Sequence, residues 1–309
     1  MKNRQQTEAI FRETVANNLL SIEEDGLKKA EVLHNNNEPI TLMLMGGGIR
    51  SFAFIGALSA IEEMGINIGK IVAASGGSVV GSLYATGKSP FEVKKIAMDI
   101  DGSIFKDFSI KGLIRGKGLY EGKHFEKWMD EKLDGRKFSD DFRIKLYVVA
   151  TDMLSCKPVA FSSSNFPDIK VSRAVRFSIG IPWIYTYKNF YHHGSKYILV
   201  DGNLMTGVIE DMFEEHGKML ILRIISKRSL SSQTPKRFTL KKYFHRLLLM
   251  QLHAVERERV KQFKWNDTIL IFCGDIPPTK FSLSPDEKKY LFEQGYQQAK
   301  KYIEYKWKI

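Results

Sequence analysis

Hydrophobic residues in this chain fall into short unbroken runs, separated by stretches with helical spacing, and that alternation predicts an α/β fold. The runs Ile40–Met45, Ile71–Ala74, Lys145–Thr151, Pro158–Phe161, Tyr197–Val200, Met219–Ile225 and Thr268–Phe272 have strand length. Two of them stop at glycine-rich turns, Gly46-Gly47-Gly48 and Ser75-Gly76-Gly77. Apolar residues at helical spacing follow each turn: Phe52, Ile55, Leu58 and Ile61 after the first, Val79, Val80, Leu83 and Tyr84 after the second. Consecutive strand–turn–helix units build a mainly parallel sheet with crossover helices. Both turns are therefore expected at one sheet edge, where α/β proteins bind ligands. Val171–Phe177, Gln251–Gln262 and Pro285–Lys306 read as further helices, with a loop at Lys227–Arg237.

Residues 1–38 read as a helical arm. Ile10, Phe11, Val15, Leu19 and Leu20 form its apolar stripe, and Asn35-Asn36-Asn37 end it. The stripe suits packing on the remainder, residues 39–309, as one α/β domain; the alternatives are a homodimer contact and a regulatory segment. Between Ser89 and Asp134 a polar helical pattern is interrupted by a glycine-punctuated loop, Lys111–Gly122. That loop mixes Leu113, Ile114, Leu119 and Tyr120 with Lys111, Arg115 and Lys117, so it is either an inward-packed connection or a flap suited to lipid. Lys241–Lys264 poses the same choice. Phe244, Leu247, Leu248, Met250 and Leu252 crowd together there among seven lysines and arginines, either as a core helix with a basic outer side or as a membrane-facing one.

Charge narrows the partners without choosing one. A formal net charge of +12 and a pI near 9.4 favour anionic surfaces such as phospholipid headgroups or nucleic acid. The basic residues are scattered and no nucleic-acid-binding module is visible, so no nucleic acid is expected. Two cysteines, Cys156 and Cys273, give neither a disulfide framework nor a metal spacing. The first residues lack the apolar core of a signal peptide, and no run approaches the ~20 apolar residues of a membrane span. The expected location is cytoplasmic, with peripheral contact at an anionic membrane.

The two turns carry complementary chemistry. A serine on a tight strand-to-helix turn projects its hydroxyl out of the sheet and needs small neighbours, and Ser75 sits in Ala73-Ala74-Ser75-Gly76-Gly77. Gly46-Gly47-Gly48 precedes a helix, where bare backbone N–H groups make an anion site. The oxyanion formed when Ser75 attacks a carbonyl is such an anion.

Taken together, these motifs resemble the patatin-like phospholipase family, with its G-G-G-x-R-G loop, G-x-S-x-G elbow and later D-G-G or D-G-A. The counterparts are Gly46-Gly47-Gly48-Ile49-Arg50-Ser51, Ala73-Ala74-Ser75-Gly76-Gly77 and Asp201-Gly202-Asn203. The likeness runs from about Glu38 to Val208 in order and spacing. Ser51, Ala73 and Asn203 depart from the pattern, and Ala73 is the departure that bears on the elbow, because its Cβ stands where the family has none. The resemblance implies a three-layer α/β/α fold with a mainly parallel central sheet. It also implies a Ser75–Asp201 dyad, an oxyanion loop of Gly46, Gly47, Gly48, Ile49 and Arg50, and phospholipid or lysophospholipid esters as substrates. Arg50 is expected to brace the glycine loop, and Pro182, Trp183 and Ile184 to line an acyl pocket. No cofactor and no metal are implied.

Other readings compete. A Ser-His-Asp triad would draw on His216, His245 or His253, none of which sits in a glycine-rich loop beyond a strand. His192-His193 would point to opposite faces of an extended chain and suit no metal. A dinucleotide fingerprint at Gly46-x-Gly48-x-x-Ser51 lacks the acidic residue at the end of the second strand, where Ala74-Ser75 stands. A catalytically silent lipid-binding scaffold remains the strongest rival, on account of Ala73.

Overall fold

Every residue of β1 (Ile40–Met45) is buried, because both faces of this strand are covered. Leu42 and Leu44 join one apolar cluster while Met43 and Met45 join another across the sheet, so the strand reads as a continuous hydrophobic run. The computed structural model describes residues 38–213, 218–225, 267–278 and 280–307, with positions 243, 246, 247 and 250. Nearly all of the predicted arm 1–38, the loop Lys227–Arg237, the helix Gln251–Gln262, most of Lys241–Lys264 and the three late histidines lie outside the described residues.

Parallel neighbours flank β1 on both sides: β2 (Ile68–Ala74) and then β3 (Lys145–Asp152) on one, β7 (Met219–Ile225) and then β8 (Thr268–Phe272) on the other. The described residues form an eight-stranded sheet, completed by β4 (Lys157–Phe161), β5 (Lys188–His192) and β6 (Ser195–Val200), which pair antiparallel. The helices are α1 (Phe52–Glu63), α2 (Gly76–Ala85), α3 (Pro90–Met98), α4 (Ile110–Ile114), α5 (Lys123–Lys132), α6 (Val171–Ser178), α7 (Thr206–Phe213) and α8 (Pro285–Trp307). Apolar residues of α1, α2, α6 and α8 belong to the larger cluster; Ile209 and Phe213 of α7 pack with Met43, Met45 and Val72 on the other face. The result is the three-layer α/β/α architecture with a mainly parallel sheet.

The pairing of β3 positions the site. Residues 148–152 of β3 carry β4 along one edge, so β6, bonded at Thr151 and Asp152, must lie along the other. That second edge is the one β2 occupies as far as Val149 and leaves at Ala74. β6 thus runs toward the end of β2 and stops at Val200, which delivers residue 201 to the turn after Ala74.

Several elements differ from expectation. β2 begins three residues early, at Ile68, and β5 was not anticipated, because KNFYH in an edge hairpin has one buried residue, Phe190. The loop Lys111–Gly122 contains most of the short helix α4, whose start is capped by Ser109 Oγ accepting from the Gly112 N–H at 2.9 Å. His192 and His193 do not point apart: His193 has φ 44° at the hairpin turn, the chain is not extended there, and the two rings sit with centroids 4.0 Å apart. No group of three or more metal-ligating side chains occurs among the described residues. No helix among them is long and apolar enough to cross a membrane.

Candidate active site

Ser75 joins β2 to α2 in a conformation with φ 53° and ψ −133°, which non-glycine residues rarely adopt. Its neighbours explain how the chain holds it. A Cβ on Gly76 would collide with the Gly48 carbonyl, and one on Gly77 with the Leu44 carbonyl, so only glycine lets the turn pass this close to β1. Ser75 N–H donates to Ser178 Oγ at 2.9 Å, and Ser178 Oγ donates to the Val149 carbonyl at 2.5 Å. Ser78 Oγ donates to the Ser75 carbonyl at 2.6 Å. Ala73, the departure expected to crowd the elbow, points its Cβ toward Gly81 of α2, where a second Cβ would stand 3.1 Å away. The missing side chain at 81 accommodates the extra one at 73, and the turn is unobstructed.

Asp201 meets Ser75 across the end of the sheet. Ser75 Oγ donates to Asp201 Oδ2 at 2.7 Å, and the other carboxylate oxygen accepts from the Asn203 N–H at 2.8 Å. The Asp201 backbone is held as well, by Thr151 Oγ1 donating to its carbonyl at 2.9 Å and by its own N–H donating to the Gly180 carbonyl at 3.0 Å. Burial pushes the Asp201 carboxyl up to about 6, against the bonds from Ser75 and Asn203 that pull it down. Among the described residues no histidine bonds to either group. Asn203 does more than end a turn: its side-chain amide packs on Gly46, where a Cβ would approach it to 2.8 Å, and its Oδ1 accepts from Thr206 Oγ1.

The glycine loop lies beside the elbow with its N–H groups unequally committed. Gly46 N–H donates to the Ala74 carbonyl, Ile49 N–H to the Pro278 carbonyl and Arg50 N–H to the Gly47 carbonyl. Among the described residues the N–H groups of Gly47, Gly48 and Gly76 have no such partner, and Gly48 N lies against Gly76. Arg50 is buried and its Nε donates to the Gly47 carbonyl at 3.3 Å, which makes it a brace for the loop.

Above Ser75 opens a cavity whose apolar wall includes Val79, Ile100, Phe105, Phe125, Ile184 and Phe281. Among the described residues Lys280 is its one charged lining residue, and its Nζ is held by the Glu287 carboxylate at 2.5 and 2.7 Å. Of the three residues expected to line an acyl pocket, Ile184 does so. Pro182 and Trp183 do not, because Trp183 takes a left-handed conformation and is half exposed. Ile179 and Ile181 take their place. Ser178 escaped the sequence reading, and Gly76 was read only as a small neighbour of the turn. A serine ending α6 just before Ile179-Gly180 carries no motif, whereas Gly76 directly follows the expected nucleophile and was legible by position.

Comparison with known proteins points to one family. A profile of the patatin-like phospholipase family matches residues 42–214. The uncharacterized protein YqhO of Bacillus subtilis is 23% identical over 271 residues, covering 81% of this chain and 93% of its own. A probable lipid hydrolase of Invertebrate iridescent virus 6 is 25% identical over 170 residues, which span 50% of this chain and 59% of its own. Among solved structures, VipD from Legionella pneumophila superposes with a TM-score of 0.53 at 14% identity, over 86% of this chain and 67% of its own.

Proposed function

The chain belongs to the patatin-like phospholipase family and is a lipid acyl hydrolase, and from that premise we propose that it cleaves phospholipid or lysophospholipid esters through a Ser75–Asp201 dyad. The observation that carries this reading is the 2.7 Å bond from Ser75 Oγ to a carboxylate buried beneath an apolar cavity.

A serine hydroxyl attacks an ester only if a base takes its proton, and an ordinary carboxylate is a weak one. Burial answers that weakness: an Asp201 raised to about 6 is ionised at neutral pH yet far more basic than a solvated aspartate. As Ser75 Oγ bonds to the carbonyl carbon, its proton passes to Asp201 Oδ2 and negative charge collects on the former carbonyl oxygen. The N–H groups of Gly47, Gly48 and Gly76 receive that charge; one such donor is typically worth about 3 kcal/mol. Collapse of the tetrahedral adduct breaks the ester C–O bond, and the proton on Asp201 goes to the departing alkoxide. The acyl group then rests on Ser75 until water attacks as Asp201 takes its proton; that proton passes to Ser75 Oγ as the acyl–oxygen bond breaks and the acid leaves. Of the five residues expected in the oxyanion loop, Gly47 and Gly48 are assigned as donors; Gly46, Ile49 and Arg50 support the loop.

An alkyl fluorophosphonate tests the nucleophile. The protein should be labelled at Ser75, and Ser75→Ala should lose both labelling and hydrolysis of a phospholipid ester while its circular dichroism is unchanged. Labelling that persists at another serine in Ser75→Ala would overturn the assignment.

A further inference from the structure

We propose that the segment from Lys106 to Lys117, built around α4, is the face by which this protein docks on an anionic phospholipid bilayer. The proposal rests on the reading of Ser75 as a lipid hydrolase and names the surface on which that site works.

The segment shows apolar side chains to solvent where an ordinary connection would bury them. Ile114 is 79% exposed and Ile110 65%, with Phe108 and Leu113 also more than half exposed. Their exposure is not looseness of the backbone. Ser109 caps α4, Ser109 N–H donates to the Leu119 carbonyl, Lys117 N–H to the Gly112 carbonyl and Gly116 N–H to the Leu113 carbonyl. Phe108 and Tyr120 form a bridge, and so do Tyr120 and Tyr185, a residue of the cavity wall. The fold therefore holds a short helix rigidly with its apolar residues outward, at a cost in solvation that a lipid surface would offset.

Charge selects the partner. Lys106, Lys111 and Arg115 are exposed among these apolar residues, and Lys117 is half-buried beside them. Exposed Asp101 offsets Lys106, so the positive face is that of Lys111, Arg115 and Lys117, and the two carboxylates beside it are withdrawn. Asp107 accepts from the N–H groups of Gly122 and Lys123, both at 2.6 Å, and of His124 at 3.3 Å, at the start of α5. Glu121 accepts from Ser109 Oγ at 2.6 Å, and from Thr186 Oγ1 and Lys188 Nζ at 3.4 Å. What faces outward is apolar and cationic, which matches an anionic headgroup layer with acyl chains beneath it. The bridges that anchor the segment lead through Tyr185 to the wall of the cavity over Ser75.

The test uses vesicles of ether-linked lipids, which present headgroups but no ester to cleave. The wild-type protein should bind vesicles of equal parts phosphatidylglycerol and phosphatidylcholine, and bind pure phosphatidylcholine much more weakly. Binding should fall as salt rises. The double variants Leu113→Ser/Ile114→Ser and Lys111→Gln/Arg115→Gln should each bind at least about tenfold more weakly. Both should hydrolyse a soluble short-chain ester at the wild-type rate. Variants that bind like wild type, or equal binding to neutral and anionic vesicles, would overturn the docking face and leave the Ser75 reading intact. Variants that change the mass of the protein in solution but not its vesicle binding would also overturn it, identifying a contact between copies instead. Salt-sensitive vesicle binding that depends on these residues, in a protein that neither cleaves esters nor takes a fluorophosphonate, would support the face and refute the hydrolase reading.

Discussion

Replacing Asp201 by asparagine should cost the activity and strengthen the fold, and the size of the second effect follows from the buried carboxyl. Folding moves this group from an ordinary 3.8 to about 6. The folded state then binds the proton more tightly than the unfolded chain between those values, so stability falls as pH rises through that window. Above pH 6 the ionised carboxylate costs the fold on the order of 3 kcal/mol; below pH 4 it costs nothing. Asparagine carries no charge and its amide oxygen can still accept from the Asn203 N–H, so it escapes most of that cost. At pH 7.5 the variant should melt about 5 °C above wild type, and the two should converge near pH 4. Thermal unfolding of both proteins across pH 4 to 8 reads this directly. Esterase activity of the wild type should in parallel fall away as pH drops below about 6, because the protonated acid cannot accept from Ser75. A stability difference that stays constant with pH would mean that Asp201 titrates as a solvated carboxyl, and the argument for its basicity would fail.

Ser178 and Gly295 offer tests at other levels. Ser178→Ala removes the acceptor of the Ser75 N–H and leaves a buried donor unmet, so kcat should fall about 10- to 100-fold while KM holds. Equal damage to both, or none, would remove Ser178 as a positioning residue. Gly295→Ala should destabilise by about 1–3 kcal/mol in a urea titration, because its Cβ would enter the space of the Ala53 backbone. The sign is the diagnostic part, since the same change in a free helix stabilises by about 1 kcal/mol; a stabilised variant would refute the close crossing.

Much of this was legible in the residues, for identifiable reasons. β1, β7 and β8 were readable to the residue because strands buried on both faces read as nearly continuous apolar runs, broken inside only by Thr41 and Arg223. Ser75 and the glycine loop were readable because a turn that tight admits few residue types. Which glycine N–H groups remain available was not readable. The carbonyl that occupies Ile49 belongs to Pro278, far along the chain, and no local pattern announces that contact. α4 was hidden for the opposite reason: five residues with a glycine at their centre and apolar residues outward invert the burial rule on which helix reading depends. Asp201 was found through a motif, but its basicity comes from burial, and burial is a property of the assembled sheet. The arm at 1–38 and the basic stretch 241–264 stand as sequence expectations.

The close crossing of α1 and α8 also sets when this protein comes to exist during synthesis. α1 begins within a few residues of the glycine loop, and its Gly56 and the Gly295 of α8 each lie too near the other helix's backbone to admit a methyl group. β7, which pairs with β1 up to the loop, and the Pro278 carbonyl reach it from the far end of the sequence. The nucleophile and its base are both made by residue 201, yet the scaffold that holds the oxyanion donors waits on residues beyond 290. On a ribosome that adds about 5–20 residues per second, several seconds separate a chain carrying the reactive serine from one able to use it. A lipid-cleaving protein folded in this order stays silent while it is being made.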